Sequence, residues 1–148
     1  MNKALKPLLE AGWIDDLAAT PDEIESLLSV LARALDEASG PLKYPDTRFD
    51  LAYRAVLTAA TIVVRAEGAR VHRQRYHEQT FRALQLLNIP SLSKQAAYYD
   101  ACRRKRNVAE YEMAGNVSSK EAQDLLQEAE RLSEAAREWL AREHADLV

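Results

Sequence analysis

Apolar residues along this chain recur at helical spacing, and alternating strand patterns are almost absent. Ile24, Leu27, Leu28, Leu31, Leu35 and Ala38 fall on one face of a helix that the capping box Thr20-Pro21-Asp22-Glu23 starts and Gly40-Pro41 stops. After a loop with Pro45, residues 48–70 are apolar on nearly every side. Ala52, Ala55, Ala59 and Ala60 let neighbouring helices approach, which makes this the expected central helix, with 55–64 at its heart. Its polar residues Asp50, Arg54, Thr58, Thr61 and Arg65 lie on one narrow stripe, expected as a partly exposed seam.

Gly68 can end the central helix, and the basic stretch Arg70-Val71-His72-Arg73-Gln74-Arg75-Tyr76-His77 leads into a shorter helix carrying Phe81, Leu84 and Leu87. Asn88-Ile89-Pro90 breaks that pattern. A further helix is expected over 92–114, with Tyr98, Cys102, Ala109 and Met113 on one face and Gly115-Asn116 as its stop. A second capping box, Ser118-Ser119-Lys120-Glu121, opens a last helix with Ala122, Leu125, Ala129, Leu132, Ala136 and Trp139 on one face. The pattern predicts an all-α bundle of about five or six helices. Residues 1–148 read as a single domain, because no linker long enough to divide them is present.

Composition narrows the function classes. The chain has 148 residues and one cysteine, Cys102, so an internal disulfide is excluded and the cytoplasm is the expected location. The longest uncharged apolar run, 55–64, is too short for a bilayer, so no membrane partner is expected. His72, His77 and His144 form no metal-binding pair and the four glycines form no phosphate-cradling loop, so neither a metal nor a cofactor is expected. The net charge of −3 hides an asymmetry. Residues 1–50 carry five Lys and Arg against ten Asp and Glu, residues 51–106 carry eleven against three, and residues 107–148 carry four against ten. A basic middle between acidic ends suits either a polyanion-binding surface or a fold that neutralises itself when the ends pack on the middle.

The densest chemistry is the run Arg103-Arg104-Lys105-Arg106, followed by Asn107 and, five residues past Arg106, Tyr111. Four successive cations repel one another on a solvated helix, so an anionic counterpart such as an RNA phosphate is expected. Arg103, Arg106, Asn107 and Glu110 share one side of the helix. Asp100 to Arg104 and Arg106 to Glu110 have the spacing of intrahelical ion pairs, which account for part of the run. Arg106 and Tyr111 lie roughly 140° apart around an ideal helix, so a joint site needs a second surface, which a dimer cleft would supply.

Arg106-Asn107 followed by Tyr111 resembles the Arg-(Asn/His/Asp)-x-x-x-His motif of the HEPN superfamily (higher eukaryotes and prokaryotes nucleotide-binding), with tyrosine in place of histidine. The segments Leu8-Leu9-Glu10-Ala11-Gly12, Leu51-Ala52-Tyr53-Arg54-Ala55 and His77-Glu78-Gln79-Thr80-Phe81-Arg82-Ala83-Leu84 are similar to parts of small bacterial HEPN proteins. The resemblance implies a HEPN-like bundle that pairs into a homodimer with the motifs lining a shared cleft. It also implies metal-independent ribonuclease chemistry of the kind found in toxin-antitoxin and defence systems, with a cognate antitoxin as a further partner. On that resemblance Arg106, Asn107 and Tyr111 are the catalytic candidates. Arg103, Arg104, Lys105, Arg73, Arg75 and His77 are the RNA-binding candidates.

The tyrosine bears on the chemistry. Histidine titrates near neutrality, whereas a tyrosine titrating near about 10 is a poor base, so RNA binding is expected to outlast any cleavage. Whether the chain is an enzyme stays open on these grounds. The alternative is a non-catalytic module that binds a protein partner through the same basic helix.

Overall fold

A computed structural model describes the backbone of residues 1–111 and 116–148, and the side chains of the same residues apart from 108–111. A 3-10 turn at Lys3–Leu5 leads into a short helix α1 (Lys6–Glu10) and a strand β1 (Ile14–Asp16). These are followed by α2 (Pro21–Ser39), α3 (Pro45–Ala66), a strand β2 (Ala69–Val71), α4 (Tyr76–Leu87), α5 (Ala96–Tyr111) and α6 (Ser119–Glu143). The architecture is an all-α bundle with one small antiparallel sheet, in which Ile14 pairs with Val71 and Asp16 with Ala69. Each strand spans only three residues, too few for an alternating pattern to stand out in the sequence.

Helix α3 is the centre. Ala52, Ala55, Val56, Ala59, Ala60, Ile62 and Val63 are completely buried, with α2 and α6 against one side and α4 and α5 against another. The buried alanines leave room for neighbouring helices to pack close to α3, as their spacing predicts. The helix begins at Pro45, earlier than Arg48, because Pro45 itself fills the first helical position. At the other end Gly68 adopts φ +90°, a left-handed conformation that turns the chain from α3 into β2.

The polar stripe of α3 is not a uniform exposed seam. Arg54 is exposed, but Thr58 and Arg65 are buried. The Thr58 and Thr61 hydroxyls donate to the carbonyls of Arg54 and Leu57, and the Thr61 hydroxyl also meets that of Tyr76 at 2.7 Å. Arg65 departs furthest from the expectation. Its Nε and Nη2 donate to the Glu23 carboxylate at 2.6 and 2.9 Å, its Nη1 donates to the carbonyls of Leu17 and Ala69, and Nη2 also donates to Ala18 O. All five guanidinium N–H groups are used, which makes this buried charge tolerable.

The same contact corrects the first capping box. Thr20 Oγ1 accepts the Glu23 backbone N–H as expected, but the Glu23 carboxylate faces Arg65 instead of folding back. The second box is complete, since Ser118 and Glu121 exchange both hydrogen bonds. The expected apolar face of α6 is buried throughout, from Ala122 to Trp139. On α5 the fully buried ring is Tyr99, not Tyr98, and its hydroxyl donates to Glu128 of α6 at 2.6 Å. The predicted positions Ala109 and Met113 lie outside the described side chains.

Removing the guanidinium strands Glu23 and three carbonyls. Arg65→Met is therefore expected to cost about 3–5 kcal/mol in urea unfolding, and Arg65→Lys, with three donors, recovers only part of it. A loss under about 1 kcal/mol, the size of an exposed ion pair, would contradict this role. The Arg65 hydrogen bond holds the Glu23 carboxyl below its ordinary value of 4.5. The pair's contribution is thus full above that value and falls away as pH drops through the folded one, an acid limb that Glu23→Gln should flatten.

Candidate functional site

The cationic run lies on α5, facing α3 and the start of α4. Arg103 and Arg106 are three residues apart on α5, and Asp50 and Tyr53 are three apart on α3, so each pair shares a helix face. Arg106 Nε donates to Asp50 Oδ1, and its guanidinium carbon lies 5.3 Å from the centre of the Tyr53 ring. Tyr53 Oη is 2.9 Å from Nδ1 of His77, a residue in the first turn of α4. The Arg106 side chain keeps 27% of its surface exposed and Arg103 20%, whereas Tyr53 is 1% exposed. A buried phenol thus joins a half-exposed guanidinium to a half-buried imidazole.

Each cation of the run has a carboxylate within the chain. Asp100 accepts from Arg103 at 2.8 Å and from Arg104 at 2.6 Å, Lys105 meets Glu121 of α6 at 2.8 Å, and Arg106 meets Asp50. The Asp100 to Arg104 pair is one of the two that the spacing predicts, and Glu110, the partner expected for Arg106 in the other, lies outside the described side chains. Lys105 and Glu121 tie the basic middle to the acidic last helix, the self-neutralising arrangement that the charge distribution also allows. The Lys105 hydrogen bond, with the backbone of Ser118, holds the Glu121 carboxyl down at about 2. Between α4 and α5 runs a groove of about 240 Å³, whose walls include Glu78, Arg82, Asp100 and Arg104.

His77 is set apart from the other two histidines. His72 Nε2 faces Asp15 at 2.9 Å and His144 Nε2 faces Glu67 at 3.5 Å, while His77 meets a hydroxyl. Among the described residues, its Nε2 has no hydrogen-bond partner. Burial lowers its pKa from the ordinary value, and the charges of Arg106 and Arg103 lower it further. The ring is accordingly neutral at pH 7. Burial also pushes the Tyr53 phenol above its ordinary range, against the pull of Arg106 and Arg103, so its hydroxyl keeps its proton. Cys102 is a poor nucleophile, because burial raises its thiol to about 11.

The structure brings Arg103, Arg106 and His77 together. Asn107 is exposed on the same helix. The Tyr111 side chain lies outside the described residues. Arg73 and Arg75 occupy the turn entering α4, where Arg75 stacks over Trp13 at 5.6 Å, and none of their described contacts reaches the α5 cluster. Asp50 and Tyr53 are the site members that the sequence does not reveal. Asp50 opens the polar stripe and Tyr53 is an isolated aromatic among alanines, but neither pattern says which helix they meet.

Arg106 lowers the proton affinity of His77, so Arg106→Ala is expected to raise the His77 midpoint in an NMR titration. In the parent, the contribution of neutral His77 to stability is full above the ordinary value of 6.5 and declines as pH falls toward the folded midpoint. An unmoved midpoint in Arg106→Ala would show that the two groups do not interact.

Among the described residues, no helix is long and apolar enough to cross a membrane, and no group of three or more His, Cys, Asp or Glu could hold a metal ion. No curated protein and no solved structure matches the chain. A family model does, described as HEPN_SAV_6107-like HEPN, over residues 41–137. That span covers α3, α4, α5 and most of α6, and so includes every member of the cluster around Tyr53. The helical bundle and the matched span agree, and the chain belongs to the HEPN superfamily.

Proposed function

We propose that this HEPN protein binds single-stranded RNA through phosphates seated on Arg103 and Arg106. The observation that carries the reading is the meeting of two partly exposed guanidiniums with a neutral imidazole around Tyr53. A phosphodiester supplies charge for the arginines and hydrogen-bond partners for the ring. The Asp50 and Asp100 carboxylates do not bar it. Exposed ion pairs such as Arg106–Asp50 contribute only about 0–1 kcal/mol, so a phosphate can replace that carboxylate at small cost, and at the part-buried Arg103–Asp100 pair at a larger one. Asn107, on the exposed side of α5, adds an amide able to contact a neighbouring sugar or base.

A second reading is supported by the pairing of all four cations with carboxylates of the same chain. Such a mixed-sign surface suits a protein partner, a cognate antitoxin among them, and makes the module non-catalytic. A second copy of the chain is part of the first reading, since the five-residue spacing of Arg106 and Tyr111 puts them roughly 140° apart on an ideal helix. Sedimentation at micromolar concentration is expected to give a homodimer, and a monomer at every loading would remove the shared cleft.

The RNA reading predicts that the parent binds a fluorescent single-stranded RNA at low salt, with affinity falling steeply as salt rises. Arg106→Ala should weaken binding by about tenfold or more, the loss of a charge-assisted hydrogen bond. The same substitution should flatten the salt slope by about 0.7 for the lost phosphate contact. Its effect on urea unfolding should stay within about 1 kcal/mol. A parent with no RNA affinity, together with an Arg106→Ala protein that is markedly less stable, would assign the arginine to an internal ion pair and favour the partner module.

A further inference from the structure

The RNA reading leaves a chemical gap, because the residue aligned with the motif histidine is Tyr111 and a phenol is a weak base at neutral pH. The fold places an imidazole beside the same arginines from a different helix. We infer that His77, its ring held by the Tyr53 hydroxyl and flanked by Arg103 and Arg106, is the group that removes the ribose 2′-hydroxyl proton when RNA is bound. This inference rests on the RNA reading and adds to it a catalytic residue outside the Arg-Asn-x-x-x-Tyr motif.

Three features make His77 fit. Its Nδ1 is occupied at 2.9 Å by Tyr53, a fully buried side chain that fixes the ring in place. The Tyr53 hydroxyl can both accept and donate, so it suits the ring in either protonation state. When Nδ1–H donates to Tyr53 Oη, Nε2 carries the lone pair, and that atom has no partner among the described residues. Burial, and after it the charges of the two arginines, disfavours a proton on the resting ring, the condition a base requires. The ring meets Tyr53 on α3, Tyr76 beside it on α4 and the charges of Arg106 and Arg103 on α5, whose carboxylate partners are Asp50 and Asp100, and Glu78 is the next residue of α4. Arg70 on β2 and Lys3 in the 3-10 turn are charged residues of the other segments packed on α4.

The step balances without a metal or a co-reactant. His77 Nε2 takes the 2′-hydroxyl proton and the 2′-oxygen forms a bond to phosphorus. The bond to the 5′-oxygen breaks, and that oxygen takes a proton from water. Arg103 and Arg106 meet the charge that gathers on the phosphoryl oxygens. The products are a 2′,3′-cyclic phosphate and a 5′-hydroxyl, and His77 returns its proton to solvent. Tyr53 acts as a positioning residue.

The test measures binding and cleavage of one single-stranded RNA in the presence of EDTA, using the full chain. His77→Asn is expected to lose cleavage by about 100-fold or more, the size of a general-base contribution, while RNA affinity falls by no more than about tenfold, the size of one neutral hydrogen bond. The acid limb of the parent's kcat/KM profile should disappear with it. Tyr53→Phe should lower kcat and move the acid limb of kcat/KM, a shift that a smaller folded fraction would not produce. A parent that binds RNA but cleaves no faster than His77→Asn, or cleavage that yields a 5′-phosphate, overturns the inference and leaves RNA binding standing. A parent that binds no RNA overturns both.

Discussion

A single guanidinium organises the N-terminal third of the molecule. Arg65 lies near the end of α3, is 5% exposed, and gives all five of its N–H groups to Glu23 on α2, to Leu17 and Ala18 before α2, and to Ala69 on β2. Two stretches far apart in sequence, 17–23 and 65–69, therefore meet at one planar fork. Lysine has too few donors and no plane, so the arrangement is specific to arginine. Residues 1–40 lie outside the matched family span, and Arg65, inside it, is one of the polar links that fasten them to the bundle, with Arg48 on Ala38 and Gly40 and His72 on Asp15 among the others.

The other end of α3 carries the opposite chemistry. Asp50 lies fifteen residues before Arg65, roughly 22 Å along the helix. There the two arginines keep a fifth to a quarter of their side-chain surface exposed, and of their carboxylate partners Asp100 is partly and Asp50 about half exposed. A buried, fully satisfied guanidinium supports a fold, and a half-exposed one on an exchangeable carboxylate supports recognition. Helix α3 carries the first and meets the second from α5, and Tyr53 joins the second to His77. A rigid, alanine-packed helix between the two ends keeps the site geometry tied to the core.

The sequence carried the helices because each owes its existence to local patterns: the apolar period of α2 and α6, the proline and threonine before α2, and the Ser118 to Glu121 exchange. It pointed to α5 for the same reason, since four cations in a row are visible without a structure. Tertiary choices were not visible. Glu23 has the spacing to complete a capping box, and only the nearby Arg65 draws it away. Tyr99 and Tyr98 are adjacent, and which one is buried depends on Glu128 of α6. His77 could be named as an RNA contact, but its distinction from His72 and His144 depends on Tyr53, twenty-four residues earlier. The strands were missed because three residues each leave no period to read.

The central claim is that a phosphate of bound RNA sits on Arg103 and Arg106 beside His77. The most direct measurement is the His77 titration curve, followed by NMR with and without a 2′-O-methyl single-stranded oligonucleotide that cannot be cleaved. A phosphate placed there brings negative charge to the ring, so the account predicts that the midpoint rises on binding and that the rise shrinks in Arg106→Ala. Saturating oligonucleotide that leaves the His77 midpoint where it was would contradict it.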